Sequence, residues 1–349
     1  MKKCAVVLSF LPIGGIAMTD KTGPAGETDQ ITRKEYALAS QVAHMYYDLG
    51  MLQPEIADKL FFSRSKISRL LKAAKDFGIV EINVRQVFDR ARLVEDKLKS
   101  TFGLKDAVVI TCFEGGDSDS GFHAVTDFAA DYASDIIKGS QVIGLTNGAT
   151  IQEMFRKLTR KNNCYLNVLQ LMGSFSNIYM HAESRELISM LLDVYPGIGH
   201  YLNAPLYVSD PHVHDYLLAE PSNKMVFDMM KKCSIIFTGI GNLNIQENCK
   251  WYTYQTEKHF NELVKNKAVG SICAQYYDIE GCRVDSEWND NCIAMPLSEI
   301  RRNKVTIGVA SGSDRVDAIL GALRGKLINV LISDSETATA VLKKHDSGK

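Results

Sequence analysis

Arg64, Lys66, Arg69, Lys72 and Lys75 set five cations between Ser63 and Lys75 with no acid among them, and Ser65 and Ser68 add short hydroxyls. Cations neutralise phosphate, an Arg fork pairs with the edge of guanine, and Ser donates to either, so the set suits a nucleic-acid backbone and its base edges. On a helix such a face is most often plain solvated surface. The apolar frame behind it argues otherwise. Ile67, Leu70, Leu71 and Ala74 recur at helical spacing as one buried stripe, with Ser63 as N-cap. Upstream, Pro54 suits the first turn of a shorter helix whose Ile56, Ala57 and Leu60 form a second apolar face, and Ala57 is small enough to let another helix cross closely. Two short helices, the second cationic outside, are the layout of a helix-turn-helix, which lays that face in the major groove of DNA. The DNA-contacting residues expected are Gln53, Ser63, Arg64, Ser65, Lys66, Ser68, Arg69 and Lys72. After Gly78, Val80, Ile82 and Val84 alternate with Glu81, Asn83 and Arg85, which predicts a strand serving as a wing. Phe61 stands where such turns generally carry Gly, and is expected either to widen the turn or to pack as a staple.

A second chemistry lies further on, where three apolar strands end in small and polar residues. Gln141 to Leu145 runs into Thr146-Asn-Gly-Ala-Thr150 and then a helix, whose first N–H groups with the Thr150 hydroxyl would cradle an anion. Thr238-Gly-Ile-Gly-Asn242 is the second such end. The third, Ala310-Ser-Gly-Ser-Asp-Arg315, opens a helix from Val316 to Leu323, with Gly312 permitting close approach and Arg315 supplying a forked phosphate donor. Any one glycine turn after a strand is commonly just a tight connection. Three in one region, one with Arg at a helix start, point to a phosphorylated small molecule.

These ends need a sheet to gather them. Ala107 to Ile110, Gln141 to Leu145, Leu166 to Met172, Ser234 to Thr238, Lys304 to Ala310 and Leu327 to Ile332 read as short strands alternating with helical segments. That alternation predicts an α/β domain with a largely parallel, Rossmann-like sheet, whose ligand sites lie beyond the carboxyl ends of the strands. The expected organisation is a tail over 1–32, a winged helix-turn-helix over 33–88, a linker helix over 89–105 carried by Leu93, Val94, Leu98 and Phe102, and an effector and oligomerisation domain over 106–346.

At 349 residues with 46% hydrophobic and 23% charged residues, the chain is long enough for two or three ordinary globular domains. The net charge is only -1, so basic character is local: Arg33 to Arg90 holds ten Lys and Arg against seven Asp and Glu. The eight cysteines, among them Cys4, Cys112 and Cys249, form no CxxC pair and lie mostly in apolar runs, as buried thiols of a reducing, cytoplasmic compartment would. His212 and His214 could share one strand face, but with no third ligand at a telling spacing they read as polar surface or a pocket edge rather than a metal site. Lys2, Lys3 and the apolar run from Cys4 to Met18 imitate a secretory signal without a clear cleavage site. Met18 is therefore expected to be the true start, with residues 1–17 an over-extended reading frame. No stretch beyond that leader is long enough to span a bilayer, and no cofactor is expected.

In combination and order, the motifs resemble the SorC family of sugar-binding bacterial transcriptional regulators, grouped with the DeoR-type regulator of deoxyribonucleoside use. The resemblance runs from about Glu35 to Leu342. It rests on Tyr46-Tyr-Asp-Leu-Gly50 leading into Gln53 to Leu71, on Gly78-Ile-Val80, Gly144-Leu-Thr-Asn-Gly-Ala-Thr150, Gln170-Leu-Met-Gly173 and Gly239-Ile-Gly241, and on Ala268-Val-Gly270 through Tyr277-Asp-Ile-Glu-Gly281. Val309-Ala-Ser-Gly-Ser-Asp-Arg315 to Asn329-Val-Leu-Ile-Ser-Asp334 completes it. It implies an effector domain similar to sugar-phosphate isomerase and CoA-transferase folds, a sugar-phosphate effector, operator DNA as partner, and assembly into dimers and tetramers. By matching motif, Gly148 and Thr150 would contact phosphate or sugar, Gln170 and Asp278 would reach sugar hydroxyls, and Gly312 and Arg315 would form the phosphate end. Two departures bear on effector identity: Asn147 stands where the family loop usually has Trp, and Arg315 where Lys is usual.

A rival reading is a sugar-phosphate isomerase or deaminase with an accessory DNA-binding head. It needs a general base, for which Asp278, Glu280 and His181 are conceivable, but no pair at a diagnostic spacing announces catalysis, so no enzyme is expected. A ligand-independent architectural DNA binder conflicts with the size of the effector body.

Overall fold

A computed structural model describes residues 33–80, 89–111, 118–160, 163–174, 184–243 and 256–348. The chain divides into two compact units, Met1–Val87 and Phe88–Lys349.

In the first unit α1 (Arg33–Ala43) runs on through a π-helical turn, His44–Asp48, to α2 (Gln53–Leu60) and α3 (Arg64–Asp76). Its core is small: Ala39 and Val42 of α1, Met45 of the π turn, Ile56 and Ala57 of α2, and Ile67, Leu70, Leu71 and Ala74 of α3. Ser63 caps α3 by accepting from the Lys66 N–H (3.3 Å). Phe61 closes α2 in the left-handed region, φ 55°, with its side chain 94% exposed. It is no staple: the tight turn is held by the Phe62 N–H on the Ala57 carbonyl (2.9 Å), at the cost of a strained backbone at Phe61. At the other end Gly78 turns left-handed (φ +67°), and the N–H groups of Ile79 and Val80 both reach the Ala74 carbonyl. The expected wing from Glu81 onward lies outside the described residues.

The second unit is built on an eight-stranded sheet in the order β1-β2-β11-β10-β6-β3-β4-β5. The strands are β1 (Asp89–Arg90), β2 (Asp106–Thr111), β3 (Gln141–Leu145), β4 (Leu166–Gln170), β5 (Gly197–His200), β6 (Ile235–Gly239), β10 (Val305–Val309) and β11 (Val330–Asp334). Every pairing is parallel except β1 with β2. Buried on both faces, the strands read as near-continuous apolar runs. Val108, Ile110, Ile235, Phe237, Val330 and Ile332 point to a core shared with α5 (Ser118–Ile136), α6 (Ala149–Arg156) and α7 (Ser184–Val194). The alternate residues Ala107, Val109, Ile236 and Leu331 point to the opposite core. That core is covered by α4 (Arg92–Phe102), α9 (Pro221–Met230), α10 (Glu257–Lys265), α12 (Leu297–Arg302), α13 (Val316–Arg324) and α14 (Ser335–Ser347). Two short helices, α8 (Pro211–Ala219) and α11 (Glu287–Asp290), complete the helical set described. A second, antiparallel sheet joins β7 (Gly241–Asn242), β8 (Gly270–Ile272) and β9 (Gln275–Tyr277).

Several expectations are corrected. The linker helix starts only at Arg92, because Asp89 and Arg90 pair with Thr111 and Ile110 as an antiparallel edge. The last strand begins at Val330, not Leu327, because Asn329 is spent on a cross-link: its side-chain oxygen accepts from the Thr306 N–H (2.9 Å). His212 and His214 sit on α8, not a strand, since Asp210 caps that helix and Pro211 starts it. Two residues apart on a helix, they point to different sides. Of the described cysteines, Cys164, Cys233, Cys273 and Cys292 are buried and Cys282 is exposed. Among the described residues no three His, Cys, Asp or Glu gather to hold a metal, and no helix is long and apolar enough to cross a membrane.

Candidate functional site

In the first unit the turn after Phe61 aims the outer side of α3 at solvent. Arg64, Ser65, Lys66, Ser68, Arg69, Lys72 and Lys75 are all exposed, while Gln53 at the start of α2 is half-buried. Lys66 rests its ammonium 4.0 Å over the Phe62 ring, and the Arg69 Nε donates weakly to the Ser65 carbonyl (3.4 Å). The Ser63 and Ser65 hydroxyls lie 3.0 Å apart. Among the described residues none of the five cations is paired with a carboxylate, so all five charges are available to a polyanion.

In the second unit the chain runs outward from β3 to β4 and β5, then returns to lay β6 on the other side of β3, with β10 beyond it. At that reversal the connections diverge and leave a crevice past the carboxyl ends of β3, β6 and β10. A cavity of about 140 Å³ occupies it, lined from the β3 end by Thr146, Asn147, Gly148, Ala149 and Thr150. Gly239, Ile240, Gly241 and Asn242 line it from the β6 end, Met172, Ser271, Cys273 and Ala274 form a third wall, and Arg315 the last. Gly148, at φ 151°, is the N-cap of α6, so the first N–H groups of that helix open toward the cavity. Thr146 closes the floor, donating from its hydroxyl to Thr238 (3.2 Å).

Opposite, Gly312 (φ 112°) turns the chain into the 3-10 segment Ser313–Arg315 that leads into α13. The loop is braced twice: the Gly312 N–H donates to the Thr337 hydroxyl (2.8 Å), and the Asn242 amide donates to Asp314 (2.6 Å). Arg315 donates one terminal nitrogen to the Ser311 carbonyl (3.2 Å), while its Nε is buried without a hydrogen-bond partner. A buried guanidinium N–H left unmet costs free energy. The described lining holds no carboxylate or imidazole. Its one other titratable group, the Cys273 thiol, is pushed up to about 12 by burial.

Of the effector residues expected, Gly148, Thr150 and Arg315 line this cavity and Gly312 holds the loop that presents Arg315. Gln170 and Asp278 do not line it. Gln170, buried at the end of β4, donates to the Ser174 hydroxyl (3.2 Å) and accepts from the Leu202 N–H (3.2 Å), stitching chain segments together. Asp278 accepts from the Glu280 and Cys282 N–H groups (3.0 and 2.9 Å), which fixes the turn ending at Gly281. There the chain packs so close to α13 that a Cβ on Gly281 would meet the Gly321 carbonyl oxygen at 2.4 Å. Of the other base candidates, the Glu280 carboxylate pairs with Arg324 (2.7 Å) and does not line the cavity, and His181 lies outside the described residues. The wall formed by Ser271, Cys273 and Ala274 was not foreseen. It is the tip of the β8–β9 hairpin, a two-residue turn in which both Cys273 (φ 55°) and Ala274 (φ 58°) are left-handed. The usual hairpin signal, Asn-Gly or its relatives, is missing.

The chain thus joins a doubly wound α/β unit, with an Arg-lined cavity at its switch point, to a helical unit that presents an exposed cationic helix face. Residues 86–343 match the family described as "Putative sugar-binding domain". The deoxyribonucleoside regulator of Bacillus subtilis (strain 168) is 29% identical over 311 residues, covering 89% of this chain and 98% of that protein. The sorbitol operon regulator of Klebsiella pneumoniae is 26% identical over 313 residues, covering 88% and 98%. The crystal structure of the full-length sorbitol operon regulator SorC from Klebsiella pneumoniae superposes with a TM-score of 0.66 at 24% identity, covering 88% of this chain and 99% of that one. A transcriptional regulator from Streptococcus pneumoniae TIGR4 gives 0.68 at 24% identity, covering 73% of this chain and 97% of that one. The chain belongs to the SorC family of sugar-binding transcriptional regulators.

Proposed function

We propose that the chain is a transcriptional regulator of carbohydrate-metabolism genes, whose winged helix-turn-helix over 33–88 reads operator DNA and whose body over 106–346 senses a phosphorylated sugar. The effector shifts the protein between arrangements of different operator affinity, in a self-associated form whose two heads would meet two half-sites. The observation that carries the effector half is Arg315, which lines a cavity free of described carboxylates and keeps its Nε buried without a hydrogen-bond partner. A cavity of about 140 Å³ suits one small ring or short polyol with its phosphate. The names of the sorbitol operon and deoxyribonucleoside regulators agree with a carbohydrate-derived ligand. Thr150, Asn147 and Ser271 offer neutral polar groups to sugar hydroxyls, and α6 with Arg315 takes the anion.

The test is a stability screen of the full chain against phosphorylated sugars, each paired with its unphosphorylated counterpart. A cognate phosphate at 100 times its Kd should stabilise by about 2.7 kcal/mol. Equal stabilisation by the unphosphorylated partner would remove the anion from the reading.

A further inference from the structure

On the side of the sheet away from β3, a line of hydrogen bonds ties the loop that presents Arg315 to the end of β11, which strand register connects through β2 to the strand that opens the second unit. The Arg315 N–H donates to the Gly312 carbonyl (3.1 Å), and the Gly312 N–H donates to the Thr337 hydroxyl (2.8 Å). Having accepted that bond, the hydroxyl donates its own proton to the Asp334 carboxylate (2.6 Å), whose other oxygen accepts the Thr337 N–H (2.8 Å). Thr337 and Asp334 are both buried, and Asp334 is the last residue of β11. In register, Asp334 stands beside Ile110 of β2, and Ile110 beside Arg90 of β1.

At the far end sits a carboxylate that the fold alone does not explain. Glu95 of α4 is 1% exposed, yet it accepts from the Arg90 Nε (2.7 Å), from Arg92 (3.3 Å) and from the Val109 N–H (2.9 Å). The second nitrogen of the Arg90 fork donates to the Ala107 carbonyl (3.1 Å). A buried, multiply bonded charge is weak support for stability but a strong specifier of geometry. What it specifies is the seat of β1, a strand of only two residues, Asp89–Arg90, directly after the boundary at Val87 and Phe88.

We propose that Thr337, Asp334 and the Arg90–Glu95 clamp are positioning residues that couple the anion loop of the cavity to the seat of β1, the point at which the chain leaves the DNA-binding unit. The inference rests on the effector reading above and supplies its regulation. An anion drawing Arg315 inward pulls on Gly312, and that pull reaches Thr337 and the end of β11. Because β11, β2 and β1 are paired in register there, the displacement arrives at Arg90 rather than dissipating in a loop.

Hydrogen exchange on the full chain tests it without knowledge of the effector. Thr337→Val removes both bonds of the hydroxyl at nearly constant volume, and is expected to raise exchange at the Ala91 and Val109 amides, which bond to Val109 and Glu95, about threefold or more. Thr337→Ser, which keeps the hydroxyl, should match wild type and controls for folding. Combined with Glu95→Gln, Thr337→Val should add nothing further at Ala91, whereas independent distant sites would simply add. The proposal is overturned if the Thr337→Val effect stops at Gly312 to Arg315 and the first turn of α14, if Thr337→Ser disturbs β1 equally, or if the two substitutions are additive. Failure of the effector reading would show separately. Inorganic phosphate, added as the probe, would then leave exchange at Gly312 and Arg315 unchanged, while the Thr337 comparison would still decide the coupling.

Discussion

Phe61 is the residue whose chemistry is most at odds with its place. A left-handed backbone costs an L side chain about 1–2 kcal/mol, and a ring 94% exposed returns nothing by packing. Phe61→Gly should therefore raise the unfolding free energy of the first unit by roughly 0.5–1 kcal/mol after the greater unfolded-state freedom of Gly is subtracted. Denaturant unfolding followed by helical signal would show it, and a loss of stability would mean that the ring packs after all. The thiols give a second test. Burial pushes Cys233 and Cys273 up to about 12 from an ordinary value near 9, so both stay protonated in the folded chain and ionise once it unfolds. A raised folded value means stability that is whole below about 9 and falls as pH climbs toward 12. Unfolding of the second unit should accordingly become easier across that window, and iodoacetamide at pH 8 should label Cys282 well before either buried thiol. Residue types alone pointed to buried thiols; the exposure of Cys282 could not be read from them, because it follows from the turn that Asp278 fixes.

At the level of elements, α3 was the most legible part of the chain, since its apolar stripe, its cap and its cationic face all obey one helical period. Strand β3 was found residue for residue, and the gathering of three strand ends around one crevice followed from glycines and small polar residues. The wall of Ser271, Cys273 and Ala274 was hidden because a hairpin of three-residue strands turning on Cys-Ala carries no periodic or turn signal. Gln170 and Asp278, assigned to sugar hydroxyls by resemblance, do not line the described cavity; both tie chain segments together, a role that looks the same in sequence as touching a ligand. On the proposed reading, the outward Arg69 of α3 would contact a base edge, so Arg69→Ala should weaken binding to a selected operator by about 1–3 kcal/mol and relax base preference. Lys72→Ala should weaken selected and random duplexes alike and flatten the salt dependence by about one charge. Fluorescence titration with both duplexes checks this, and unchanged binding in both variants would place the DNA face elsewhere.

For the molecule as a whole, the proposed regulator couples a locally basic head, in a chain of net charge -1, to a body whose Arg315-lined cavity would take an anion. Arg315 is the side chain on which that coupling converges. Its loss should remove a charge-assisted partner from a desolvated phosphate, roughly 2–5 kcal/mol, and leave α3 untouched. The decisive measurement is titration of the operator complex with the phosphorylated sugar that most stabilises the full chain, comparing wild type with Arg315→Ala by fluorescence anisotropy. The wild-type complex should change affinity as the sugar phosphate is added, while the variant binds the operator as tightly as unliganded wild type and stays indifferent to the sugar. An Arg315→Ala complex that responds at the same sugar concentration as wild type would contradict an effector site built on this cavity.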